Sequence, residues 1–187
     1  EGLGGAAAQD KGGYKMNPEW VNMVQRTQTS HLPESYDPTP VSQDISVYYT
    51  SINYAGISFA VLEDRKFKSA PAVVMPEAKI VNGWSKNTHW DAAVSGDVPG
   101  AVLLGKRQLS FLDNWASDWS DSIWMKVVLS QTIFANVATL PEDDARTDAN
   151  VPKLRILNKD EYALNDIPVQ DHDSNGWPQS PRNKALE

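Results

Sequence analysis

The sequence predicts a layered domain of the α/β or α+β class, in which helices and strands alternate with long irregular loops. Apolar, β-branched runs at residues 45–50, 57–62 and 124–129 are typical of strands. Residues 106–119 carry apolar side chains at helical spacing, and proline- and glycine-rich stretches separate these elements. The length of 187 residues suits one domain with a core of its own.

The composition excludes several classes of protein. Lys and Arg number 17 and Asp and Glu number 24, which gives a net charge of −7. An acidic chain argues against a general nucleic-acid binder, but a local cationic pocket still allows a small phosphorylated substrate. The absence of cysteine excludes disulfides, thiolate zinc sites and a cysteine nucleophile. No apolar run approaches the length of a membrane span.

The first third of the chain predicts one helix between loops. Residues 1–17 are rich in glycine and predict a loop. Pro18 suits the first turn of a helix, which the apolar spacing extends to about Arg26. Residues 31–43 contain three prolines, which exclude regular structure there.

A β-hairpin is predicted next. Its strands are residues 45–50 and 57–62, and the linker 51–56 offers Asn and Gly for the turn. The second strand is apolar on both faces towards its end, as expected of a central strand. Residues 69–100 follow as a long irregular loop insertion.

The remaining elements are a helix, a buried strand and a second helix. The helix over residues 106–119 is expected to bury one face, made of Leu109, Leu112, Ala116 and Trp119. Residues 124–129 then predict a buried strand, and residues 137–160 and 161–180 predict polar, irregular chain. Residues 181–187 are typical of the first turns of a helix.

Two strand ends combine into a candidate site. Glu63, Asp64 and Arg65 follow one apolar strand, and Ser130, Gln131 and Thr132 follow another. Ligands of open α/β sheets bind beyond the carboxyl ends of strands. Carboxylate oxygens suit hard cations, and an arginine pairs with an anionic group. The alternative is that these side chains simply mark where the strands meet water, which the residues alone favour.

Other polar and aromatic residues predict no catalytic constellation. His31, His89 and His172 lie far apart in predicted loops and are expected to be solvated, as is the acidic turn at residues 142–144. Trp84, Trp90 and Trp177 also lie in loops, where tryptophans either pin the loop to the core or stack on a ligand.

Four runs of residues occur in the order found in a known family. Residues 57–68 read ISFAVLEDRKFK, residues 104–112 read LGKRQLSFL, residues 126–135 read KVVLSQTIFA, and residues 173–178 read DSNGWP. Together they resemble the alkaline phosphatase D (PhoD-like) metallophosphatases, in which a helix of the type LLG-x-x-Q-x-x-[FW]-L precedes a strand of the type W-x-V-L-x-Q-x-x-[FM]-x. Residues 9–14, 19–33 and 63–69 are similar to runs of one subgroup.

The resemblance implies a fold and an activity. The fold would be a calcineurin-like metallophosphatase β-sandwich flanked by helices. The activity would be hydrolysis of phosphomonoesters or phosphodiesters, in which a metal-bound hydroxide attacks phosphorus at a centre of calcium and iron. Export to the periplasm or the cell exterior is a further expectation from the family.

The resemblance also implies roles for individual residues. Arg65 and Gln131 would contact or support the substrate phosphate. Asn175, Trp177 and Arg182 would line the mouth of the pocket. No catalytic residue is assigned within the chain, and its candidate metal ligands are Glu63 and Asp64.

The chain departs from the family in two ways. Glu63 and Asp64 stand where the family has Asp-Thr, so only Arg65 of that motif matches, and Phe67 replaces a frequent Tyr. The family's Asp-Asp-His and Gly-Asp-x-His ligand motifs are absent. We therefore expect residues 1–187 to be an internal segment of one PhoD-like domain, truncated at both ends, which holds no catalytic metals and has no activity when isolated.

Two rival hypotheses remain beside the enzyme. One is a non-catalytic module that binds carbohydrate or protein through the loop tryptophans. The other is a family member that has lost its metals and acts structurally.

Overall fold

A computed structural model describes most of the chain. The described residues are 16–87, 89–120, 122–135, 138–141, 158–160, 165–169, 171–173 and 176–187. Within them the protein is a mixed α/β structure with small sheets and five helices, which confirms the predicted class. The predictions for residues 1–15 and 142–157 lie outside the described residues.

The helices differ widely in length. They are α1 (Pro18–Thr29), α2 (Pro71–Val74), α3 (Ala92–Ser95), α4 (Gly105–Ser117) and α5 (Gln179–Leu186), with 3-10 turns at Ser42–Asp44 and Pro76–Ala78. Helix α1 begins at the predicted proline, and the side chain of Asn17 caps its first turn through a 2.8 Å bond from Trp20 N. In the described part of residues 69–100, no helix exceeds four residues, and that this stretch is an insertion stays a prediction.

Seven strands form three small sheets in the described residues. They are β1 (Thr50–Tyr54), β2 (Ile57–Val61), β3 (Ile80–Val81), β4 (Trp84–Ser85), β5 (Met125–Leu129), β6 (Ala138–Pro141) and β7 (Asp166–Val169). The main sheet has the order β1-β2-β5, while β3 pairs with β4 and β6 pairs with β7.

Strand β2 is the centre of the main sheet, as its apolar faces predicted. It pairs with β1 in antiparallel register, with Tyr54 opposite Ile57. It pairs with β5 in parallel register, with Val61 opposite Leu129. Because parallel neighbours end at the same edge of a sheet, the residues after β2 and after β5 lie side by side.

The predicted strand over residues 45–50 is wrong, because only Thr50 belongs to β1. Residues 45–49 alternate in burial as a strand does, but they form no regular ladder with the neighbouring residues 33–36, which include a proline without a backbone N–H. Only isolated bonds join the two segments, such as Tyr36 N to Tyr49 O (2.8 Å) and the Tyr48 hydroxyl to Pro33 O (2.7 Å). The hairpin is therefore shorter and displaced along the chain.

The buried face of α4 also differs from the prediction. The helix buries Gln108, Phe111 and Leu112, whereas Ala116 is exposed and Trp119 lies beyond the helix. Because Gln108 is polar, it was not expected on the buried face, and the predicted face was therefore shifted towards Ala116.

Two hydrophobic clusters form the core. The first lies between the main sheet and α4 and contains Val47, Tyr49, Ala60, Leu62, Leu103, Leu104, Phe111 and Leu112. The second lies under the insertion and contains Met75, Ala78, Ile80, Ala101 and Trp177. The prediction that β5 is a buried strand is wrong, since Val128 and Leu129 at its end are 46% and 47% exposed.

Among the described helices, none has the length and apolarity needed to cross a bilayer.

The turn of the β1–β2 hairpin gives a stability prediction. Ala55 and Gly56 both have positive φ, 50° and 80°, and Trp124 N donates to Gly56 O at 2.9 Å. We expect Ala55→Gly to stabilise the protein by about 0.5 kcal/mol, because relief of left-handed strain exceeds the added entropy of the unfolded chain.

We expect the matched variant Gly56→Ala to destabilise by at least about 1 kcal/mol. A Cβ there would overlap the indole ring of Trp124. Urea denaturation of the three proteins measures both changes. Equal effects of the two substitutions would contradict this account of the turn.

Candidate active site at the edge of the main sheet

The ends of β2 and β5 are tied together by the side chain of Asp64. Leu62 N donates to Leu129 O at 2.9 Å, so the parallel pairing runs one residue past β2. The Asp64 Oδ2 atom then accepts a bond of 2.7 Å from Thr132 N and one of 3.4 Å from the Ser130 hydroxyl. The two polar stretches singled out in the sequence are therefore brought together.

Asp64 is fully buried, and its two carboxylate oxygens differ. Oδ2 is engaged with the chain after β5, while Oδ1 has no hydrogen-bond partner among the described residues. An unpaired buried carboxylate oxygen is costly, so it marks a position where a donor or a cation would be stabilised.

Gln108 fixes the strand end from the side of α4. Its Oε1 accepts from Glu63 N at 2.9 Å, and its Nε2 donates to Glu63 O at 2.7 Å and to Leu104 O at 2.9 Å. Gln108 is fully buried, so one amide satisfies both backbone groups of Glu63, which lie beyond the regular pairing of β2, and the Leu104 oxygen at the start of α4.

Glu63 is the second candidate metal ligand, and the structure gives it a different partner. Its carboxylate lies 3.2 Å from Lys66 Nζ, and both side chains are largely buried. Burial raises the pKa of Glu63, and the neighbouring lysine opposes this shift. Glu63 therefore forms an internal ion pair with Lys66.

A cleft of about 880 Å³ opens beside this edge of the sheet. One wall is α1, and the opposite wall contains the strand ends with Glu63, Arg65, Ser130 and Gln131. The two residues predicted to contact phosphate, Arg65 and Gln131, therefore line one cavity. Gln131 is exposed, which makes its amide accessible from the cleft.

Arg65 keeps donors available on this cleft. Its Nη1 atom contacts both carboxylate oxygens of Asp173, at 3.1 and 3.2 Å. Within the described chain, no protein acceptor bonds to its Nη2 or Nε, and 44% of its side chain is exposed. Asp173 thus holds the guanidinium in place while leaving two donors for an anion.

Lys68 joins the same strand end to the Asp173 segment. Its ammonium donates to the backbone oxygen of Asp173 and lies 5.7 Å from the ring centre of Trp177. Burial lowers the pKa of Lys68 to about 8, and the Asp173 carboxylate limits the decrease.

The remaining predicted contact residues are not brought to the cleft. Trp177 is fully buried in the second cluster, where its Nε1 donates to Gly96 O at 2.8 Å, and it does not line this cleft. Its assignment to a pocket mouth stays a prediction. Arg182 lies on α5 and bonds to Asn183 and to Phe134 O. Asn175 lies outside the described residues.

His172 corrects the expectation of a solvated loop histidine. It is fully buried between Trp90 and Trp177, with ring centres 5.3 and 5.9 Å away. Its Nδ1 lies 3.2 Å from Gly83 O, and burial lowers its pKa to about 4. His31 and His89 are exposed, as expected.

The other two loop tryptophans pack against the protein. Trp90 is half-buried against the second cluster, and Trp84 is half-buried and forms a β-bridge with Asp171.

Comparisons with known proteins found no match for the chain. No family model, no curated protein and no solved structure matches it.

Sequence reasoning missed Gln108, Lys68 and His172 as parts of this region. A glutamine among apolar residues of α4 was the available signal for Gln108, since a polar group on a buried face needs partners. The partners of Lys68 and His172 lie more than 80 residues away in sequence, so spacing carries no signal for them.

The hydrogen bonds of the Gln108 side chain to Glu63 and Leu104 predict a measurable contribution to stability. We expect Gln108→Leu, which preserves volume, to lower the free energy of unfolding by about 2–4 kcal/mol, because the Glu63 backbone groups lose their partners. The control Ser110→Ala changes an exposed residue of the same helix and is expected to stay within about 0.5 kcal/mol of the wild type. Thermal or urea unfolding measures both changes. Equal stability of the Gln108 variant and the control would contradict the stabilising role of the Gln108 hydrogen bonds.

Proposed function

We propose that the chain is part of a metal-dependent phosphohydrolase that cleaves phosphomonoesters or phosphodiesters. The observation that carries the proposal is the meeting of Arg65 and Gln131 in one cleft, beside the buried carboxylate of Asp64. The resemblance to PhoD-like metallophosphatases points to the same chemistry. A calcineurin-like β-sandwich and export from the cell belong to this proposal.

The cleft suits a phosphate group because of its donors. Arg65 presents Nη2 and Nε, which are two donors in a planar fork that matches two phosphate oxygens. The amide of Gln131 adds a neutral donor from the neighbouring strand end. In this proposal Arg65 binds the phosphate, Asp173 positions Arg65, and Asp64 keeps the two strand ends in register.

The metals of the proposal need ligands beyond those described. Among the described residues, no three His, Asp or Glu side chains lie together as a metal-binding group. Asp64 Oδ1 is one available oxygen, and Glu63 is paired with Lys66. The described residues therefore do not fit a calcium or iron centre by themselves, and the proposal assigns those ions to ligands outside this segment.

The two rivals are separated by different observations. The binding-module hypothesis loses its main feature, because Trp177 is buried and Trp84 and Trp90 are half-buried in the insertion. A metal-less family member is distinguished by metal analysis of the purified parent protein, which would then contain neither calcium nor iron.

Arg65→Ala in the parent protein tests the role of the guanidinium. We expect kcat/KM on an aryl phosphate ester to fall about 10- to 100-fold, because a hydrogen bond to a charged phosphate is lost. Arg65→Lys is expected to give an intermediate value, since it keeps the charge without the fork.

The matched control is Arg26→Ala, an exposed arginine in the last turn of α1. It is expected to leave kcat/KM unchanged. A value for Arg65→Ala equal to that of this control would remove Arg65 from the phosphate site.

A further inference from the structure

Helix α1 is attached to the protein without burying a side chain. None of its residues is buried, and Trp20 is 46% exposed. Four apolar residues in and just before the helix line the cleft, namely Met16, Trp20, Val21 and Val24. An amphipathic helix normally buries its apolar side chains against the core. The apolar side chains of α1 line the cleft instead.

Polar bonds account for the attachment of α1. Asn22 Oδ1 accepts from Ser46 N at 2.8 Å, and Asn22 Nδ2 donates to Asp44 O at 2.9 Å. One turn later, the Gln25 amide oxygen accepts from the ammonium of Lys66. Because these amides hold the helix, its apolar side chains are left available to the cleft.

The opposite wall combines apolar and polar groups. Val61 and Leu129 provide an apolar surface, and Arg65 and Gln131 provide donors. A volume of about 880 Å³ is far larger than a phosphate ion needs and falls in the range of roughly 300–1,000 Å³ typical of sites for organic ligands. The cleft therefore has room for a phosphate group together with a sizeable organic group.

We infer that the α1 wall, which includes Trp20, binds an apolar ester group of the substrate, so that the protein selects phosphoesters of aromatic or alkyl alcohols. The inference rests on the proposed function, because Arg65 must hold the phosphate at the other end of the cleft. Trp20 is then a specificity residue that contacts the ester group rather than the phosphorus.

Calorimetric titration of the full chain with phenylphosphonate and methylphosphonate tests this inference. These probes share the charged group and differ in the apolar one. We expect phenylphosphonate to bind about fivefold more tightly, because one aromatic contact contributes on the order of 1 kcal/mol. Trp20→Ala is expected to abolish the difference while retaining methylphosphonate binding.

The control variant is Trp119→Ala, which removes a tryptophan that is 56% exposed and does not line the cleft. It is expected to retain the preference for the phenyl probe. Equal affinities of the two probes for the wild type, both weakened by Arg65→Ala, would overturn the inference and leave the phosphate site standing. Failure of both probes to bind the wild type would overturn the phosphate site and the inference together.

Discussion

The parallel pairing of β2 with β5 is the constraint on which the rest of this structure depends. It places residues 63–65 beside residues 130–132, although 65 positions separate Arg65 from Ser130 in the chain. Asp64 extends this pairing beyond the sheet through its bond to Thr132 N. Without that register, the guanidinium and the amide would not line one cleft.

Two further attachments make the strand end rigid. Gln108 satisfies the backbone of Glu63 from α4, and Asp173 holds Arg65 from a segment that packs on the insertion. His172 and Trp177 anchor that segment inside the protein. Residues 69–100 therefore have a structural role in the candidate site, because they support the segment from which Asp173 bonds to the arginine. A preorganised guanidinium loses less entropy when an anion binds.

Local patterns in the sequence predicted the longer elements but not the short strands β3, β4, β6 and β7, which lie in stretches predicted to be irregular. Periodicity and β-branched runs placed α1, α4, β2 and β5 close to their observed bounds. The same reasoning misplaced the first strand, because residues 45–49 are joined to residues 33–36 by single bonds and side-chain hydroxyls rather than by a regular ladder. It also left Gln108 off the buried face and His172 in solvent, since both are polar and their partners are distant in sequence. The contact between Asp64 and Thr132 depends on strand order, which composition does not encode.

The central claim is that the joined strand ends form an anion site, and an NMR titration with inorganic phosphate tests it most directly. The account predicts saturable shifts of backbone amides concentrated in residues 63–66 and 130–132, together with the Arg65 side chain. Saturable shifts centred instead on surface lysines such as Lys106 and Lys184, with these two stretches unmoved, would contradict it.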